Sequence, residues 1–257
     1  MNVTVKKSAA KKSQPKAAAP GNKKFELLLD DTIDVYGIKL FRTRARIAFG
    51  AVAKGDLGGY VEKVENLAED GNAWVYGDAR VSGDAQVSGD AWVYGNAWVS
   101  GNARVSGNAW VYGNAWVSGN ARVSGNARVS GNARVSGDAR VYGNARVYGN
   151  AWVYGNAWIS GDARVYGDAW ISGDARVYGD ADLFWASKVG SENGTLTVFK
   201  SKTGIEVTRG CFFGTVEAFL TRVAEVHGDS KIGREYRLLI EVALSRLGAG
   251  EDAELAA

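Results

Sequence analysis

Arginine stands at 128, 146 and 164, and again at 104, 122 and 140, each step being eighteen residues. Guanidinium forks bind phosphate or carboxylate through paired hydrogen bonds, and an aromatic ring beside them offers a base a surface to stack on. Tyr148 and Tyr166 keep the same step beside the first row. Together these eight residues are the candidate ligand-binding set, suited to an anion with aromatic character such as a nucleotide or a nucleotide-derived signal. Tryptophan follows the same rule at Trp74, Trp92 and Trp110, at Trp98 and Trp116, and at Trp152 and Trp170. So many outward indoles exceed what soluble monomers usually expose, which makes these seven the candidate oligomer interface.

Catalytic chemistry has little to work with. The chain has one histidine, His227, and one cysteine, Cys211. A general base near neutral pH would have to be His227, which falls at a predicted helix end and reads as a surface residue. Cys211 reads as a buried small hydrophobe rather than a nucleophile. One histidine and one cysteine exclude a zinc site of the usual ligand sets, and no catalytic residue, metal or cofactor is expected.

The eighteen-residue step comes from a shorter one. Residues 71–184 repeat Gly-(Asn/Asp)-Ala-x-Val-x nineteen times without an insertion, with Ile159, Ile171 and Leu183 in the Val position. Ala and Val lie two apart, so on a strand they share one side, and both variable positions take the other. Gly accepts positive φ, and Asn and Asp tolerate it next best, so each Gly-Asn or Gly-Asp pair turns a corner. Three corners close a triangular coil of eighteen residues, with Val and Ala inside and the variable letters outside. Read by eighteen, one post-Val row runs Tyr76, Tyr94, Tyr112, Ser130, Tyr148, Tyr166, Phe184. The arginine rows have two explanations at this stage. One is an anion site; the other is solvated guanidinia stacked on Trp, with corner residues such as Asp138 and Asp162 as counter-ions.

The flanks read as caps. Residues 25–70 hold an alternating hairpin around Tyr36-Gly37, then flexible backbone over Lys54–Tyr60 leading into the rod. Residues 185–249 read as ββαα: strands over Thr195–Lys200 and Ile205–Cys211, then a helix from N-cap Thr215 to Gly228, then one over about Arg234–Leu247. Residues 250–257 read as an acidic tail. Residues 1–24 carry seven lysines and no acid, so the net charge of +3 becomes −4 for the remainder. That segment reads as a disordered basic tail, and Lys6, Lys7, Lys11 and Lys12 are its candidate contacts for a polyanion.

The motif resembles the hexapeptide repeat of left-handed β-helix proteins, which implies left-handed coiling against the usual crossover rule. Lys54-Gly55-Asp56-Leu57-Gly58-Gly59-Tyr60, Asn66-Leu67, Gly71–Tyr76 and the Gly194–Gly210 segment are similar to a phage and prophage group often labelled transferases or polymer-forming proteins. The resemblance implies a viral origin and a homotrimer. Hexapeptide acyltransferases use a histidine base between subunits, and no repeat here contains one. The missing threonine also argues against an ice-binding face.

The expected protein is therefore mainly β: a left-handed parallel β-helix with a small N-terminal β cap and a C-terminal ββαα cap. A lone cysteine and the absence of a long apolar run point to a soluble cytoplasmic protein with no membrane contact. Its expected function is non-enzymatic binding or sequestration of an anionic aromatic ligand. The alternatives are a structural or assembly protein that pairs through its Trp faces, and an acyltransferase.

Overall fold

The computed structural model describes residues 21–248. The tail lysines Lys6, Lys7, Lys11 and Lys12, and the tail at 250–257, lie outside the described residues. The repeats form a parallel β-solenoid of about seven turns. Its eighteen two-residue strands, from Trp74–Val75 to Arg176–Val177, are each a variable residue followed by Val or Ile. Each pairs in parallel with the strand eighteen residues away, as in Val93, Val111 and Val129. Three sheets result, one per side of the prism.

The interior follows from the two fixed apolar letters. Every repeat Ala and Val from Ala73 to Val177, with Ile159 and Ile171, is fully buried in one continuous column. Backbone hydrogen bonds run from coil to coil, as from Trp92 N to Ala109 O and from Tyr94 N to Val111 O. The corners are tight enough to demand glycine. Gly131 has φ +67°, and a Cβ there would meet Gly149 O at 2.9 Å, so both torsion and space exclude a side chain.

Corner asparagines form a second ladder. Asn96 Nδ2 donates to Asn114 Oδ1, Asn114 to Asn132, Asn132 to Asn150, and Asn150 to Asp168. The other corners run Asn102, Asn120, Asp138 and Asn108, Asn126, Asn144, Asp162. A carboxylate accepts but cannot donate, so an Asp ends each chain. Asp138 and Asp162 thus serve as ladder ends, and neither forms an ion pair with an arginine among the described residues, so the alternative that made them counter-ions finds no support in these two residues.

The N-terminal end is more built than the sequence suggests. Strands β1 (Phe25–Val35) and β2 (Ile38–Ala45) form the expected hairpin, with Tyr36 and Gly37 at φ 53° and 79°. The stretch expected to be flexible instead contains β3 (Leu57–Val61), antiparallel to β2 and parallel to Arg80–Val81. Gly58 permits this, because a Cβ there would lie 2.7 Å from Trp74 Cζ2 and Val75 O. Lys24, expected in the disordered tail, is buried instead. Its Nζ donates to Ala73 O at 2.8 Å and Ala68 O at 3.2 Å, and it lies over the Phe49 ring. Buried Asn66 donates to Gly83 O and Ala85 O. These contacts satisfy carbonyls that an open solenoid end would leave bare.

The C-terminal end has four strands rather than two. Leu183–Val189, Gly194–Ser201, Gly204–Arg209 and Phe212–Thr215 make an antiparallel sheet in chain order. The outer two escape a pattern reading because the first directly continues the last coil and the last has only four residues. Helix α1 (Val216–His227) is capped by Thr215, whose hydroxyl accepts from Ala218 N, and stops at Gly228 with φ 50°. Helix α2 (Lys231–Arg246) starts earlier than expected because Ser230 accepts from Gly233 N. Both pack on the sheet in a separate core containing Val198, Phe219 and Ile240. The sheet docks on the last coil through Trp170, whose backbone N–H donates to the Thr197 hydroxyl and whose backbone carbonyl accepts from the Thr208 hydroxyl at 2.7 Å. No helix among the described residues is long and apolar enough to cross a membrane.

Candidate functional site

The arginine and aromatic rows are built by the rod itself. Residues eighteen apart sit on adjacent rungs, so Arg128, Arg146 and Arg164 pair in sequence along one side of the prism. Their side chains leave the surface about one strand spacing apart, roughly 4.8 Å. Among the described residues no carboxylate forms an ion pair with any of the three guanidinia. Two like charges at about 4 Å repel by roughly 1 kcal/mol even with the screening of bulk water, so the row favours an anion beside it.

Beside that row runs the tyrosine row. Tyr94 and Tyr112 stack with ring centroids 4.9 Å apart and planes within 2°. Tyr148 and Tyr166 stack at 5.3 Å and 8°. Burial and the neighbouring Tyr112 push the Tyr94 hydroxyl pKa up, against a downward pull from Arg128. Between the two stacks Ser130 takes the place of a tyrosine. A groove of about 280 Å³ opens there, lined by Tyr112, Arg128, Ser130, Arg146, Tyr148 and Arg164. Four of the eight candidate ligand residues meet in it: Arg128, Arg146, Arg164 and Tyr148. Tyr166 lies just beyond and, with Arg164, lines a second groove of about 370 Å³ against Trp185 and Arg246 of the C-terminal cap. Tyr112 and Ser130 were missed as site residues, although the post-Val row read by eighteen contains the signal for both.

Arg104, Arg122 and Arg140 lie on another side of the prism. Arg140 stacks on Trp158 at 4.9 Å, and Arg176 covers the other side of that ring at 4.6 Å. No aromatic ring accompanies Arg104 or Arg122 among the described residues, so this row lacks the stacking surface of the first.

The tryptophans divide by their neighbours. Trp74 is not outward at all: it is fully buried, with Phe25 and Phe49 edge-on to its ring, which removes it from the candidate interface. Trp98 is half-covered, stacked between Tyr36 of the hairpin and Trp116. Trp92 and Trp170 are also half-buried. Trp110, Trp116 and Trp152 remain 40, 37 and 40% exposed. Much of the covering expected from a partner is therefore intramolecular.

Arg128 lies over Trp110 at 5.0 Å, and Arg134 lies between Trp116 and Trp152 at 5.7 and 4.7 Å. Trp116, Arg134, Trp152 and Trp170 wall an apolar hollow of about 350 Å³. A second hollow of about 300 Å³ lies among Tyr76, Trp92, Tyr94 and Trp110.

Neither residue considered for catalysis reaches these grooves. His227 ends α1 and leans on Tyr236 in the C-terminal cap. Cys211 is exposed, not buried, because it occupies the turn between the last two strands. No group of three or more His, Cys, Asp or Glu side chains among the described residues is placed to hold a metal ion.

A sequence profile for the YdcK beta solenoid repeat matches overlapping segments from 73–89 to 139–155, and again 157–173. The matched segments lie within the rod and cover neither cap. The chain is similar to that family in its repeat, and it is a β-helix repeat protein. A comparison with curated proteins gave no match.

Proposed function

We propose that the protein is a non-enzymatic binder that holds an anionic ligand with aromatic character, of the nucleotide class, in the groove beside Arg128, Arg146 and Arg164. The observation that carries this reading is the combination in one groove of three guanidinia lacking carboxylate partners and two flanking tyrosine stacks. Guanidinium forks suit phosphate, and the tyrosine planes suit a base. The repeat's likeness to left-handed hexapeptide β-helix proteins supports left-handed coiling and a homotrimeric assembly of phage type, acting in the host cytoplasm to sequester its ligand.

Calorimetric titration of the purified chain at low ionic strength, with nucleotides and with inorganic phosphate, tests the reading. The expected result is nucleotide binding that weakens as salt is added. Absence of heat with every nucleotide overturns it.

Trp110, Trp116 and Trp152 favour a second reading, a structural or assembly protein whose apolar hollows receive another copy of the chain. Light scattering separates the two. An open series of sizes growing with concentration supports assembly; a discrete trimer that binds nucleotide supports the first reading.

A further inference from the structure

The tyrosine row holds two stacked pairs, Tyr94–Tyr112 and Tyr148–Tyr166, on either side of Ser130. Its two pairs keep the rung spacing, with centroids 4.9 and 5.3 Å apart. Ser130 interrupts the row between Tyr112 and Tyr148, and those two rings are therefore separated by two rungs, roughly 10 Å. That gap admits one planar ring about 5 Å from each neighbour, within the range of offset aromatic pairs. It opens directly onto Arg146, which is the middle guanidinium of its row and, among the described residues, has no aromatic or carboxylate partner. Arg128 and Arg164 lie one rung to either side.

We infer that Ser130 marks an intercalation slot, in which a single aromatic ring replaces the missing tyrosine between Tyr112 and Tyr148 while its phosphate is held by Arg146 and the neighbouring arginines. This rests on the nucleotide-binding reading above and narrows it to one rung and one ligand per chain. The small hydroxyl at 130 is what leaves the space. The fully formed coil beneath it, with Val129 and Ala127 buried, holds the two walls in register before any ligand arrives. Such preorganisation lowers the cost of binding.

The test is calorimetry on the full chain at low salt with adenosine and guanosine 5′-monophosphates, and with inorganic phosphate. Wild type should take one nucleotide per chain, more tightly than phosphate. Ser130→Tyr completes the row with the residue found at its neighbouring positions, so the melting temperature should hold or rise. Nucleotide affinity should fall by roughly tenfold or more, the scale of a lost base–aromatic stack. Ser130→Ala keeps the space and should bind like wild type. Tyr148→Ser removes one wall and should weaken the nucleotides while leaving inorganic phosphate unchanged.

If Ser130→Tyr binds nucleotide like wild type while Arg146→Ala does not, the slot is wrong and the nucleotide reading survives. Equal losses in Ser130→Ala and Ser130→Tyr also overturn the slot. If wild type binds no nucleotide, both proposals fail.

Discussion

Arg134 and Arg146 occupy the same letter of the same repeat on two sides of one prism, yet their surroundings are opposite. Arg134 has indole planes on both adjacent rungs, Trp116 and Trp152. Arg146 has arginine on both, Arg128 and Arg164. The first guanidinium is satisfied within the chain by cation–π contact, and the second is left facing its own charge. In a solenoid the chemistry of a surface residue is set less by its six-residue context than by the residues eighteen positions before and after it.

Both sides share one interior, so the strongest way to erase the difference is to attack what they share. Val129→Asp puts a carboxylate without a partner into the column beneath the Ser130 groove. The expected cost is about 4 kcal/mol or more, with loss of cooperative unfolding by circular dichroism. A chain that melted like the parent would mean the faces do not depend on the column.

Lys24 extends the comparison to a cation enclosed at the rod's end. Burial lowers its pKa to about 8 from 10.5, partly opposed by Asp70 and Asp90. Between those values the unfolded chain holds more protons than the folded one, so this residue's contribution makes stability rise with pH across that window. The full shift corresponds to about 3 kcal/mol. Denaturant melts at pH 7.5 and 10 should show that rise in the parent, and Lys24→Met should flatten it. An equal slope in the variant would remove Lys24 as the cause.

The two arginines themselves should separate stability from binding. Arg134→Ala removes contacts to two rings and should cost about 1 kcal/mol in urea melts, with nucleotide binding unchanged. Arg146→Ala should alter stability by less than about 0.5 kcal/mol, because it removes repulsion as well as charge, while abolishing nucleotide heat. The reverse pattern would break the comparison outright.

The rod was legible because its determinants are local and repeated: Ala and Val two apart, glycine at each corner, the same letters after eighteen residues. The helices of the C-terminal cap were legible for a similar reason, since Thr215 and Gly228 are local start and stop signals. What stayed hidden depends on contacts distant in sequence. Trp74 carries the same letter as exposed Trp110, but Phe25 and Phe49 cover it. Lys24 looks like another tail lysine until the carbonyls of Ala68 and Ala73 are placed around it. The groove lay between these extremes. Its arginines and Tyr148 were visible, but the decisive residue was a serine, conspicuous only as the place where a tyrosine should be.

The eighteen-residue coil also makes the chain a ruler with a built-in compass. Removing eighteen residues from the middle of the rod would bring the two caps one coil closer and leave them facing as before. Removing six would turn one cap by a third of a revolution against the other and re-deal every column, setting tryptophans over arginines that now stand apart. Insertions and deletions in such a chain therefore come in two kinds. Those in whole coils adjust length alone, and all others rewrite the surface.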